Sequence, residues 1–134
     1  MDLYAAASDQ IDLTVRDVRA LARAALSVVQ PEAEDPVPER LPAAIRGLGR
    51  AMEALAAYLQ TSGTPPDETR RLALEAAREA STLLEEHEDL ARNLGVNALV
   101  DQIHSSAVDL IGGTGMDRAA ALQALEEATG RTSW

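Results

Sequence analysis

The chain contains no cysteine, so it forms no disulfide, holds no zinc through thiolates and offers no thiol nucleophile. It depends on no oxidising compartment, and a cytoplasmic location is the expectation. Lysine is missing too: all 12 basic residues are arginine, an imbalance that reads as codon bias rather than phosphate recognition. Phenylalanine is absent and aromatics make up 2% of the chain, so burial must come from aliphatic side chains and alanine. No apolar run approaches the roughly 20 residues that cross a bilayer. The start, Met1-Asp2-Leu3-Tyr4, lacks the basic and apolar regions of a signal peptide, which predicts an intracellular chain without a membrane span.

What is present is acid and alanine. A net charge of -10 opposes attraction to nucleic acid and to anionic membranes, since both are negative themselves. At 134 residues, 46% of them hydrophobic, the chain is expected to form one domain over residues 1–134. Alanine favours helix and lets helix axes approach closely.

Apolar residues recur at steps of four and three, the seam of a helical bundle. The first helix is expected from Asp2 to Gln30, with Leu3, Ala7, Ile11, Val15, Val18, Ala22, Ala25 and Val29 inward. Pro31 to Pro38 ends it. The second runs from Glu39 to Thr61, with Leu41, Ile45, Leu48, Met52, Leu55 and Leu59 inward and Pro42 tolerated in the first turn. After Ser62-Gly63-Thr64-Pro65-Pro66, Asp67 is placed to cap a third helix with the seam Ala76, Ala80, Leu83, His87, Leu90 and Leu94, ended by Gly95. Asn97 would cap the fourth, whose seam is Val96, Val100, Ile103, Ala107 and Leu110 before Gly112-Gly113-Thr114-Gly115. A short fifth helix from Met116 to Ala128 follows, capped by a Thr114 and Asp117 box. Short connections predict an all-α, antiparallel up-down-up-down four-helix bundle with a short fifth C-terminal helix.

The first helix also carries Leu13, Leu21 and Val28 off its main row, and a second subunit covering these would give a homodimer. Arg16, Arg19 and Arg23 form a basic stripe beside them, expected to be solvated and paired with Asp12 and Asp17. Together these six residues are the candidate interaction surface. Tyr4 and Tyr58 are expected at one end of the bundle, capping the core, and Trp134 is either a loose tail or an anchor.

His87 stands on an otherwise apolar seam, so the expectation is a buried, hydrogen-bonded imidazole that sets register or senses pH. Around it lies Glu85-Glu86-His87-Glu88-Asp89, which as a charge run on a helix is a solvated face balanced by Arg78 and Arg92. Glu85, Glu86 and Asp89 also have the Glu-Glu-x-x-Asp spacing that suits Mg2+ through hard oxygens. That spacing, within Leu84 to Leu110, resembles half the motif of the all-alpha nucleoside triphosphate pyrophosphohydrolases of the MazG type. The resemblance implies a dimeric or tetrameric helical enzyme binding Mg2+ through these acids, completed by an acid such as Asp109. The family's second Glu-x-x-Asp pair is absent: Ala98 precedes Asp101 and Ser106 precedes Asp109.

Asp101 and His104 stand three apart, as in di-iron bundle sites, but Ile11, Val15, Val18, Ile45, Leu48 and Met52 occupy the positions where further ligands would be needed. The glycine turn at 112–115 follows no strand and precedes no lysine, so it reads as punctuation rather than a phosphate loop. The leading expectation is therefore a non-catalytic helical-bundle interaction or regulatory module that self-associates and shows an acidic surface to a protein partner, with no cofactor. Mg2+-dependent triphosphate pyrophosphohydrolysis and a binding module for an apolar small molecule in alanine-lined gaps stand as alternatives.

Overall fold

A computed structural model describes residues 3–28, 38–60 and 65–130, with all their side chains except those of residues 3–7 and 27. The regular elements among these residues are helices: α1 (Leu3–Val28), α2 (Arg40–Gln60), α3 (Pro66–Glu86), α4 (Glu88–Ala91), α5 (Leu94–Gly113) and α6 (Arg118–Thr129). Six helices stand where five were expected, because the third breaks at His87. The caps differ from expectation as well. Pro65 precedes α3 and Pro66 opens it, leaving Asp67 in the first turn rather than at the cap. Asn93, not Asn97, caps α5 by accepting the Val96 amide at 3.1 Å, and Gly95 lies inside that helix. Asp117 alone caps α6 through the Ala120 amide at 2.8 Å, while Thr114 ends α5. The expected ends at Asp2, Gln30 and Thr61, and the residues Val29 and Trp134, lie outside the described residues.

The core is aliphatic and continuous. Leu48, Leu83, Val100, Ile103 and Ile111 are fully enclosed, and small residues fill the spaces between them. Ala44, Gly47 and Ala51 of α2 and Ala73, Ala76, Ala77 and Ala80 of α3 are all buried, so the two axes pack closely and extensively. A Cβ added at Gly47 would come 3.3 Å from the Ala76 Cβ. α5 is the second centre: α3, α1, α2 and α6 all pack on it, and α6 also covers α3. Arg70 of α3 reaches the end of α5, donating from Nε to Thr114 Oγ1 at 2.8 Å and from an amino group to the Thr114 carbonyl at 3.3 Å. No helix among the described residues is long and apolar enough to cross a membrane.

Neighbours in sequence are not always neighbours in space. α2 packs on α3 as short connections predict, whereas α1 packs on α5 and makes no comparable contact with α2. With one main neighbouring helix among the described residues, α1 buries one side and leaves Ile11, Val15, Val18 and Leu26 on the opposite side exposed.

Candidate functional site

The open side of α1 is the least expected part of the molecule. At about 100° per residue, Asp17, Leu21, Ala24 and Val28 point in nearly one direction, together with Gln10 and Leu13. Asp17 and Leu21 are buried there, and Ala24, Ala25 and Val28 pack against the core. Roughly 130° around the helix lies the row expected to face inward. Ile11 is 59% exposed, Val15 45% and Val18 47%, and Leu26 beside them is 74% exposed. Ala22 is exposed too. The expectation is thus reversed over most of the described row: Leu21 is buried, Leu13 and Val28 are half-buried, and Ile11, Val15, Val18 and Ala22 face out, while Ala25 packs against the core as expected. The reason lies in α5, which presents Asp109 and Gly113 to α1 rather than an unbroken apolar groove.

Those two residues match the more polar row of α1. Gln10 occupies the space that a side chain at Gly113 would fill, since an added Cβ would fall 2.8 Å from its amide. Thr14 caps its own hydroxyl on the Gln10 carbonyl at 2.9 Å. Asp17, expected to be a surface partner for arginine, instead meets Asp109, whose side chain is 14% exposed. Burial, then a hydrogen bond to Asp109, then the Asp109 charge push the Asp17 carboxyl up from 3.8 to about 7, against the opposing pull of Arg16. Near neutral pH Asp17 therefore retains part of its proton facing Asp109, with Arg118 3.9 Å from the Asp109 carboxylate. The signal for this pair was in the sequence: Gln10, Thr14, Asp17, Leu21, Ala24 and Val28 also follow four-three spacing.

Flanking the exposed apolar row are Asp12, Arg16, Arg19 and Arg23, which with Val15 line an open depression of about 420 Å³. The basic stripe lies at the surface, though not paired with Asp17 as expected, and it borders apolar side chains of the same helix.

The acidic run lies elsewhere. Glu85, Glu86, His87, Glu88 and Asp89 are all exposed, and His87 is no core residue: it is the extended residue between α3 and α4, its amide donating to the Leu83 carbonyl at 3.1 Å. The helix breaks before the imidazole can take its seam position. Glu86 pairs with Arg40 at 3.2 Å, and Arg78 donates to the Ala128 carbonyl rather than to the run. Asp109 belongs to the α1–α5 contact with Asp17. Among the described residues no three His, Asp or Glu side chains are grouped to hold a metal ion.

The imidazole that does enter the helix packing is His104. It is half-buried, with Nε2 2.9 Å from Ser81 Oγ and 3.3 Å from the Ala77 carbonyl, joining α5 to α3. Ser81 is 2% exposed, so its hydroxyl lies within the helix packing. Between α2 and α3 lies a surface cleft of about 270 Å³ lined by Arg40, Gly47, Arg50, Leu72, Glu79 and Thr82 among others. Its walls mix alanine with charge: Ala43 and Ala76 line it beside the Arg40–Glu79 pair, 3.0 Å apart. Tyr58 is half-buried and packs against the core, whereas the Tyr4 side chain lies outside the described residues.

Fold and surface together define a small all-helical protein with one helix attached by a single side. No family model, curated protein or solved structure matches the chain.

Proposed function

We propose that this chain is a non-catalytic intracellular interaction module that associates with itself, and that α1 carries the contact. In this reading α1, α2, α3 and α5 make an antiparallel four-helix bundle, open along α1, with α6 as the C-terminal addition. One observation supports the reading above all: the ordered row Ile11, Val15, Val18 and Leu26 exposed on α1. A contiguous apolar row on a helix, edged by charge, is the ordinary form of a helix-to-helix docking surface. Covering each of these side chains fully is worth up to about 1.5–3 kcal/mol, enough in combination to hold a partner after the cost of association.

Light scattering over a concentration series tests it directly. The native chain is expected to form dimers, and Val15→Asp with Val18→Asp to weaken dimerisation at least about tenfold with an unchanged helical circular dichroism spectrum. A chain that stays monomeric at the highest soluble concentration overturns the self-association reading. Pyrophosphate release from a nucleoside triphosphate with Mg2+, abolished by Glu86→Gln, would overturn the non-catalytic one.

A further inference from the structure

The charges beside the apolar row of α1 are sorted by sign along the helix. Asp9 and Asp12 come first and Arg16, Arg19 and Arg23 follow, all exposed and all on one flank of the row. The opposite flank, at Thr14 and Ala25, carries no charge. A helix docking on an arbitrary apolar partner needs no such order, whereas a helix docking on itself in reverse direction does.

Resting on the self-association reading above, we infer that the outer face of α1 is covered by α1 of a second copy, antiparallel about a two-fold axis passing between positions 16 and 17. Val15 then meets the partner's Val18, and Ile11 meets the partner's Ala22. In this arrangement the two charged flanks lie on the same side of the helix pair and run in opposite directions. Asp12 therefore falls beside the partner's Arg19 and Arg23, with Asp9 farther out toward the partner's Arg23. Arg16 lies at the axis beside the partner's Arg16 and Arg19, so the acid pairs offset one like-charge contact. Each contact off the axis occurs twice, as an isologous interface requires. A parallel pair has the opposite consequence: its two-fold axis sets the charged flank of each helix against the uncharged Thr14 and Ala25 flank of the other, and no arginine meets an acid. The sign order thus selects one direction and one register for a row of apolar residues that would otherwise permit several.

Because the chain has no cysteine, single cysteines report the register cleanly. Ile11→Cys and Ala22→Cys chains, mixed and oxidised, are expected to form an intermolecular disulfide in the mixture only, since in each chain alone the paired positions lie about 16 Å apart along the axis. Self-linking of either chain alone with none in the mixture overturns the antiparallel register. In a second arm, Arg19→Glu with Arg23→Glu is expected to raise the dimer Kd at least about tenfold, and adding Asp9→Arg with Asp12→Arg to bring it back within about threefold of the native value. A dimer that ignores both charge changes yet dissociates with Val15→Asp overturns the antiparallel pairing while leaving self-association standing. A monomeric native chain fails the earlier reading itself.

Discussion

Helices α2 and α1 carry the same heptad of aliphatic residues, and the fold treats them in opposite ways. In α2, Leu41, Leu48 and Leu55 are buried and Ile45 and Met52 pack at the core's edge. In α1, the corresponding row of Ile11, Val15 and Val18 is turned to solvent, while Asp17 is enclosed. The difference lies in the surfaces they meet. α2 meets α3 along an alanine face at Gly47 and Ala76, with Arg40 pairing Glu79 and Glu86 only at its partly exposed edge, so apolar area chiefly orients it. α1 meets α5 where Asp109 requires a proton donor and Gly113 leaves space for Gln10. A helix with two usable rows turns toward the one that satisfies its neighbour's polar groups.

This comparison is tested first where the effect is largest. Leu48→Ala, at a fully enclosed position of α2, is expected to lower unfolding free energy by about 2–5 kcal/mol in chemical denaturation. Val18→Ala, measured at concentrations where the chain is monomeric, is expected to change it by less than about 0.5 kcal/mol. Equal losses from both would mean that the outer row of α1 is packed after all. Next comes the close approach of α2 to α3. Gly47→Val adds bulk where the first carbon already meets Ala76 at 3.3 Å, and is expected to cost about 1–3 kcal/mol by the same denaturation assay.

The α1–α5 contact should answer to pH where the α2–α3 contact does not. Unfolded, Asp17 ionises near 3.8, and folded, near 7. Between these values the folded chain keeps a proton that the unfolded chain has released. Its stabilising contribution is therefore complete below about 3.8 and is lost as pH rises through about 7. Denaturation midpoints measured from pH 5 to 8 are expected to fall with rising pH. Asp17→Asn, whose amide donates to Asp109 at every pH, is expected to flatten that slope. A wild-type chain as steady as the variant over this range would remove the retained proton from the account of why α1 turns as it does.

The helical class was legible in the sequence because four-three spacing and the breakers at Pro65 and at the turn through Thr114 and Gly115 are local signals. The inward row of α2 was legible for the same reason from Leu41 to Leu55, while Leu59, also expected inward, is 40% exposed near the end of the helix. For α1 the pattern was ambiguous, as its second row mixes Asp17 with Leu21 and Val28, and choosing the more apolar row gave the reverse orientation. Only the tertiary partner, Asp109 on α5, distinguishes them, and nothing local reveals that α1 skips α2 to reach α5. His87 failed in a different way. The seam continued across it in spacing, but its backbone is extended (φ -130°, ψ 90°), ending α3 and placing the imidazole among exposed acids. The imidazole that does enter the helix packing is His104, through Ser81 on α3, a contact that spacing along one helix does not reveal.

The smallest effect sharpens the comparison most narrowly, because one substitution type can be placed at both contacts. Gly113→Ala brings a Cβ within 2.8 Å of the Gln10 amide, closer than anything met at Gly47. The obstacle differs in kind: at Gly47 it is the Cβ and backbone of Ala76, fixed in α3, whereas at Gly113 it is the end of a half-buried side chain with several rotatable bonds. Gln10 can swing aside, giving up a weak 3.5 Å contact with Thr14 Oγ1. Alanine also offsets part of the cost by restricting the unfolded chain. Gly113→Ala is therefore expected to change unfolding free energy by less than about 0.5 kcal/mol. A loss of about 2 kcal/mol or more would show that Gln10 is held where it lies, and that α1 is fixed on α5 as firmly at its N-terminal half as α2 is on α3.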